Sequence, residues 1–164
     1  MECEKKELEC KILALQPKKI VGLEIRTTNE NNQSAKDIGD LWTRFYQEGT
    51  HEKISNKVSQ TVYAIYTKYE SDHTKPFSFI IGCEVKEKPS NLPEGCSFCE
   101  TKNSSYAHLP LEGNFPESLF TTWKNVWCAN NFDRAFTTDI EAYDESFDIR
   151  SGSSQGATLY IAIK

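Results

Sequence analysis

The chain has 164 residues, of which 26% are charged and 38% are hydrophobic, and this fits one folded domain rather than a disordered protein. A formal net charge of −5 argues against nucleic-acid binding, because an acidic protein repels phosphate backbones. No apolar stretch is long enough to span a bilayer, and residues 1–19 lack the apolar core of a signal peptide. We therefore expect a cytoplasmic protein without a membrane partner.

The first half of the chain predicts a strand, a helix and two further strands. Residues 1–18 are expected to be an N-terminal extension or the lead-in to the first strand, which is predicted at 19–27 from its β-branched content. Ser34 is predicted to cap a helix over residues 35–48, which Gly49 ends. The apolar face of this helix carries Ile38, Leu41, Trp42, Phe45 and Tyr46.

Two strands are predicted next, at residues 61–69 and 77–85, joined as a hairpin. Strict alternation along the first of them predicts two faces. One face carries Tyr63, Ile65 and Tyr69, and the other carries Val62, Ala64 and Tyr66. Residues 86–102, which contain two prolines and a glycine, are predicted to form a loop.

The same order of elements recurs in the second half. Strands are predicted at residues 105–111, 137–144 and 157–164, with a helix from Pro116 to about Ala129 after the first of them. The layout is β-α-β-β followed by β-α-β-β, which indicates an internal duplication. It predicts a single α+β domain over residues 1–164, with an antiparallel-rich sheet, two helices and a groove between the halves.

Six cysteines, at positions 3, 10, 83, 96, 99 and 128, are expected to be free thiols in a cytosolic protein. Cys96 and Cys99 form a CxxC motif, but no second pair follows at the spacing that a zinc site needs. The motif lies in a Pro/Gly-bounded loop rather than at the start of a helix, which argues against a thioredoxin-like role. We expect no metal and no cofactor.

Glu141 is the residue whose environment the sequence leaves most open. In the strand TDIEAY, alternation places Glu141 and Tyr143 on one face and Ile140 and Ala142 on the other. The shared surface is either solvent, the ordinary place for a glutamate, or a lined cavity in which the charge has a purpose. Glu84 could form a carboxylate pair with Glu141, although its position at the end of a strand favours a solvated charge.

Aromatic residues make up 12% of the chain, and most of the helix rings are expected in the core. They are Trp42, Phe45, Tyr46, Phe120, Trp123 and Trp127. Rings with polar tips also line pockets that bind organic molecules. No motif for a nucleophilic serine, a phosphate-binding loop or a zinc protease is present, so the sequence gives catalysis little support.

Several segments that span nearly the whole chain match one known family, in that family's order. They are IVGLEIRTT (20–28), DIGDLWTRFYQEG (37–49), VYAIYTKYESD (62–72), FIIGCEV (79–85), TWKNVW (122–127), DIEAYDE (139–145) and YIAIK (160–164). In these segments the chain resembles the GyrI-like effector-binding domains, a SOUL-type fold that also occurs in AraC-type and MerR-type multidrug-responsive transcription activators. No helix-turn-helix precedes residue 19, so the chain is most similar to the stand-alone members.

The resemblance implies a pocket between the two halves for organic molecules that are often cationic and aromatic. Its acidic residue would be Glu141, matched by the family's E-x-Y. The ring-bearing residues of the pocket would be Trp42, Phe45, Tyr66, Trp123, Tyr143 and Tyr160. We expect a monomer that senses or sequesters a small organic cation, with a separate protein partner left open.

Two other hypotheses stay open. In the first, the protein is a hydrolase of reactive xenobiotics in which Glu141 acts as general base on water. In the second, it is a protein-interaction module similar to a gyrase-inhibiting relative, and its acidic surface matters rather than the pocket.

Overall fold

A computed structural model describes residues 4–164, which form eight strands and three α-helices. The elements in chain order are β1 (Lys11–Leu15), β2 (Lys19–Thr27), α1 (Gln33–Gln47), α2 (Thr50–Lys53), β3 (Val62–Thr67), β4 (Phe77–Glu84), β5 (Ser97–Glu100), β6 (Ser104–Pro110), α3 (Glu117–Cys128), β7 (Arg134–Tyr143) and β8 (Ala157–Ile163). All the strands and helices expected from the sequence are present. The short elements β1, α2 and β5 were not predicted.

The eight strands form one antiparallel sheet in the order β1-β6-β8-β7-β3-β4-β2-β5. The predicted duplication is confirmed, because β2-α1-β3-β4 and β6-α3-β7-β8 have the same topology and meet at the central pair β3–β7. Each unit is flanked by one additional edge strand. The first strand of the chain, β1, flanks the second unit, whereas β5 flanks the first. The N-terminal strand β1 therefore crosses to the second unit, whereas β5 extends the unit that it follows in the chain.

The ends of α1 differ partly from the prediction. Its N-cap is Asn32, in the left-handed conformation with φ 57°, so the prediction that Ser34 caps the helix is wrong. Ser34 lies inside the first turn, and its hydroxyl bonds to the side chain of Asn29 at 2.8 Å. Gly49 follows the helix with φ 62°, the left-handed conformation that glycine adopts without strain, so its role in ending the helix is confirmed.

The two faces of the sheet bury separate apolar clusters. The face that packs against the helices carries a larger cluster that includes Leu23, Leu41, Phe45, Ala64, Phe77, Phe79, Ile81, Val126, Leu159 and Ile161. The opposite face carries Ile20, Ile65, Ile80, Tyr106, Ile140 and Ala162. This separation follows from the alternation of side chains along each strand.

Tyr69 departs from the predicted alternation. The sequence placed it with Tyr63 and Ile65, but it packs with the cluster on the helix side instead. Lys68 has φ 50°, a left-handed conformation that ends the regular strand geometry after Thr67. The backbone turns there, and Tyr69 is brought to the same side as Tyr66.

Two glycines allow β2 and β4 to approach closely. Gly22 and Gly82 face each other in the antiparallel register. A Cβ atom on Gly22 would lie 2.2 Å from the Ile81 carbonyl oxygen, and one on Gly82 would lie 2.1 Å from the Val21 carbonyl oxygen. Both contacts are with rigid backbone, so neither position can accept a side chain without moving a strand.

Four of the cysteines, Cys10, Cys83, Cys96 and Cys99, carry free thiols as expected. The expectation is wrong for Cys128, which is disulfide-bonded, and Cys3 lies outside the described residues. Cys96 and Cys99 pack into different apolar clusters, and burial raises the pKa of Cys99 to about 11. The CxxC thiols are thus parts of the packing. Within residues 4–164, no group of three or more potential ligands is arranged to hold a metal, and none of the helices is long and apolar enough to cross a membrane.

Candidate functional site

The central strand pair β3–β7 places a buried carboxylate beneath the helices. Glu141 lies opposite Ala64 in the antiparallel register and is only 3% exposed. Its neighbour Tyr143 shares the helix-facing side of β7, while Ile140 belongs to the cluster on the opposite face. The alternation predicted for this strand is confirmed, and the ordinary position of a glutamate in solvent is excluded.

Three ring-borne donors hold the Glu141 carboxylate. The hydroxyl of Tyr66, from β3, donates to Oε2 at 2.5 Å, and the indole N–H of Trp123, from α3, donates to the same oxygen at 3.0 Å. The hydroxyl of Tyr143 donates to Oε1 at 2.6 Å. All three donors are neutral, and among residues 4–164 no basic side chain forms an ion pair with Glu141.

The electrostatic state of Glu141 is set by two opposing effects. Burial raises the pKa of the carboxyl group, because the charged form loses its hydration, and the hydrogen bonds from Tyr143, Tyr66 and Trp123 lower it again. Burial also raises the pKa of Tyr66 and of Tyr143 well above the usual value, and the Glu141 charge adds to this increase. Both phenols therefore stay protonated as donors. The site offers a buried acceptor that lacks a compensating cation.

Aromatic rings enclose this carboxylate on several sides. The Trp42 ring on α1 lies edge-to-face on Tyr143 at 5.7 Å and stacks on Tyr46 at 5.9 Å. The Tyr66 ring lies at 5.1 Å from Trp123. Tyr46 is 67% exposed, so the chain of rings from Glu141 through Tyr143 and Trp42 reaches the protein surface there.

The structure brings together most, but not all, of the residues that the sequence assigned to the site. Glu141, Tyr143, Tyr66 and Trp123 are in direct contact, and Trp42 joins them through Tyr143. Phe45 is 1% exposed and packs behind Trp42 at 6.2 Å, so it supports the site from the core.

Tyr160 is a correction to the predicted site. It pairs with Ile140 across β7–β8 and packs with the cluster on the opposite face of the sheet, next to His108 at 5.2 Å. The cause is the alternation of side chains along a strand. Leu159 and Ile161 face the helices, so Tyr160 between them faces the other side. Glu84 also faces away from Glu141, because it lies opposite Ile20, and it pairs with Lys18 at 3.5 Å.

Sequence reasoning missed a second buried carboxylate beside Glu141. Asp139 is fully buried on the same side of β7 and pairs with Arg134 at 2.8 Å. The hydroxyl of Tyr69 donates to Asp139 at 2.6 Å. The spacing of Asp139 and Glu141 by two residues was a usable signal for a shared face. No pattern in the sequence indicated that Arg134 or Tyr69 would reach Asp139, since both depend on backbone irregularities.

Two cavities lie away from this cluster. One, of ≈ 950 Å³, lies between residues 8–11, β6 and α3, and the other, of ≈ 490 Å³, lies beside Ile54 and residues 91–94. Neither is lined by Glu141. At Glu141 itself, the Tyr66 ring packs on Trp123 and the Tyr143 ring packs on Trp42.

Comparisons with known proteins identify the family and the fold of the chain. The sequence model of the Cass2 family, integron-associated effector binding proteins, matches residues 11–163. The crystal structure of the integron cassette protein VCH_CASS2, from the mobile metagenome of Vibrio cholerae, is 28% identical to this chain. It covers 94% of this chain and 95% of its own, with a TM-score of 0.72. No curated protein matches the sequence significantly.

Two more distant structures share the fold. The structure of SAV2435 bound to tetraphenylphosphonium is 17% identical, covers 96% of this chain and 94% of its own, and has a TM-score of 0.75. A putative transcription regulation protein from Staphylococcus aureus is 16% identical, covers 96% of this chain and 99% of its own, and has a TM-score of 0.72. The expected α+β fold is therefore confirmed.

Proposed function

Because this chain belongs to the Cass2 family of integron-associated effector binding proteins, we propose that it binds lipophilic organic cations between α1 and α3. The bound cation faces Glu141, which serves as its counter-charge. The protein acts as a sensor or a sequestering protein for such molecules, and binding needs no metal or cofactor. Effector binding is the general property of the family.

The observation that carries the proposal is the environment of Glu141. A carboxylate buried to this degree is ordinarily paired with a cation, because its lost hydration is otherwise uncompensated. Glu141 instead has three neutral donors from Tyr66, Trp123 and Tyr143. A ligand cation would supply the missing charge.

The aromatic rings add a second attraction to the ligand, beside the charge of Glu141. Each aromatic face within reach of a cation adds an attraction of about 0.5–2 kcal/mol, and aromatic substituents on the ligand would stack on the same rings. Trp42 contacts Tyr143, which donates to Glu141, and it stacks on the exposed ring of Tyr46. We propose that the ligand enters on this side and that these two rings move aside when it binds. The ligand-bound relative, in which the ligand is tetraphenylphosphonium, supports a ligand of this class.

The test is a titration of intrinsic tryptophan fluorescence with tetraphenylphosphonium, comparing the wild type with Glu141→Gln. Trp123 and Trp42 are close to the proposed ligand, so saturable quenching is expected in the wild type. The matched control is Glu145→Gln, which removes the same charge from an exposed position nearby. We expect Glu141→Gln to weaken binding by about tenfold or more and Glu145→Gln to leave it unchanged. Equal binding by all three proteins would contradict the role of Glu141, and a wild type that does not respond would contradict the proposal itself.

A further inference from the structure

Two buried carboxylates face the same side of β7, and only one of them has a cationic partner. Asp139 Oδ2 accepts hydrogen bonds from the Arg134 guanidinium at 2.8 Å and from the Tyr69 hydroxyl at 2.6 Å. Its Oδ1 accepts from the backbone N–H of Ala162 at 3.1 Å. Glu141, two residues further along, has neutral donors only. This part of the sheet therefore holds two acidic groups and one basic group.

Arg134 reaches Asp139 through an irregular stretch of β7. From Arg134 to Asp139 the strand advances by five residues, while its partner β8 advances by two, from Ile163 to Ile161. Phe136, within this stretch, has φ 53°. A left-handed backbone is an outlier for a bulky residue, and it interrupts the regular strand geometry here as Lys68 does after β3.

The irregular stretch places the Arg134 guanidinium in surroundings that resemble those of a bound organic cation. Its central carbon lies 4.3 Å from the centre of the Phe136 ring and 5.8 Å from that of Trp123. The Arg134 side chain is only 9% exposed, and its Nε atom is buried without a hydrogen-bond partner. Because the Trp123 N–H donates to Glu141, the guanidinium and the unpaired carboxylate contact the same indole.

We infer that the Arg134 guanidinium neutralises Asp139 from within the protein, and that it thereby restricts the site to ligands that carry a single positive charge. The inference rests on the proposed function. With Arg134 in place, the site has a net charge of one unit negative, which one ligand charge neutralises. A second ligand charge would lie near the guanidinium and be repelled. Arg134 is thus a specificity-determining residue that acts through the charge of the site.

The charge count makes the inference testable with three variants. Arg134→Met leaves both carboxylates without a cation. Asp139→Asn leaves the guanidinium to compensate the charge of Glu141. The double variant, Arg134→Met with Asp139→Asn, has the same net site charge as the wild type but carries neutral side chains at both positions. The first ligand is tetraphenylphosphonium, measured by calorimetry at neutral pH. We expect Asp139→Asn to weaken its binding by about tenfold or more and the double variant to return to within about threefold of the wild type.

The second measurement uses two ligands of nearly the same shape, N-methyl-4-phenylpyridinium with one charge and methyl viologen with two. Both are assayed by displacement of bound tetraphenylphosphonium. The wild type and the double variant should prefer the monocation, and Arg134→Met should shift the ratio toward the dication by about tenfold or more. Arg150→Met, at an exposed arginine, controls for the change in total charge.

The outcomes separate the inference from the proposed function. A wild type that does not bind tetraphenylphosphonium overturns both. If the wild type binds tetraphenylphosphonium, the two displacing ligands are compared in the wild type and in Arg134→Met. If the monocation and the dication displace it equally in both proteins, or if neither displaces it, the inference alone is overturned. If Arg134→Met does not fold, the comparison of Asp139→Asn with the double variant decides. Weak binding by both Asp139→Asn and the double variant would overturn the inference, because it would show that the buried Arg134–Asp139 pair is needed for the structure rather than for the charge of the site. Unchanged binding by Asp139→Asn would also overturn the inference.

Discussion

The hydroxyl of Tyr66 on β3 donates to the Glu141 carboxylate on β7 at 2.5 Å, across the strand pair that joins the two halves of the sheet. Tyr66 belongs to the first β-α-β-β unit, and Glu141 belongs to the second together with its other donors, Trp123 and Tyr143. The carboxylate is therefore held by residues of both units. A change that loosens the contact between the halves would alter the site as well as the fold.

Tyr66→Phe tests the value of this contact. The variant keeps the ring and removes one of three hydrogen bonds to a buried carboxylate, so the free energy of unfolding should fall by about 1–2 kcal/mol at neutral pH. The matched control is Tyr160→Phe, on the opposite face, which should change stability by no more than about 0.5 kcal/mol. Denaturant titration measures both. Equal losses in the two variants would show that the Tyr66 hydroxyl has no special contact.

The raised pKa of Glu141 predicts how stability changes with pH. The folded state favours the protonated carboxyl group, so its contribution is fully present below the ordinary pKa of 4.5 and is lost as the pH rises through the folded value. The free energy of unfolding of the wild type should therefore decrease relative to that of Glu141→Gln as the pH rises from about 4 toward neutrality. Denaturant titrations across this range measure the difference. Parallel profiles for the two proteins would contradict it.

Ligand affinity should follow the opposite course over the same range. The carboxylate attracts a cation only when it is ionised, so tetraphenylphosphonium should bind more tightly as the pH rises above the pKa of Glu141. The dependence should be absent in Glu141→Gln, whatever binding remains in that variant. Calorimetric titrations at several pH values measure the affinity. If the affinity of Glu141→Gln still depended on pH, the dependence would belong to a titratable group other than Glu141.

Trp42→Ala tests the proposed aromatic contribution. Trp42 contacts Tyr143 and stacks on Tyr46, so its removal should weaken tetraphenylphosphonium binding by about tenfold, the effect of losing one or two ring contacts. Phe98→Ala is a control at an aromatic residue that packs in a different cluster, near Val21 and Cys83. Calorimetry measures affinity, and a thermal melt confirms that each variant is folded. Unchanged affinity in Trp42→Ala would place the ligand elsewhere.

Much of the fold could be predicted because the long elements have unambiguous periodicity. The two β-α-β-β units, the hairpin β3–β4 and the face shared by Glu141 and Tyr143 all follow from patterns of two or of three to four residues. The resemblance to the GyrI-like effector-binding domains is likewise confirmed. The strands β1 and β5 were missed because they are short edge strands of five and four residues. Their stability comes from pairing with β6 and β2, which no local pattern reveals.

The site was harder to predict because single backbone irregularities decide which side chains meet. The left-handed residue Lys68 moves Tyr69 to the helix side, and the irregular stretch of β7 brings Arg134 to Asp139. Tyr160 was assigned to the pocket by resemblance, although its position next to Leu159 on an alternating strand already favoured the other face. The pairing of a buried charge is a tertiary property that sequence spacing does not contain.

The glycine pair between β2 and β4 gives a prediction about stability alone. Gly82→Ala should lower the free energy of unfolding by about 3 kcal/mol or more, because the new Cβ would lie 2.1 Å from a carbonyl oxygen of the neighbouring strand. Gly39→Ala is the matched control, since a Cβ at this position in α1 meets nothing within 4 Å. That variant should gain about 0.5–1 kcal/mol from the better helix propensity of alanine. Chemical denaturation measures the free energy of unfolding of both variants. If Gly82→Ala were as stable as the wild type, β2 and β4 could move apart at little cost, and their close approach would not stabilise the first unit.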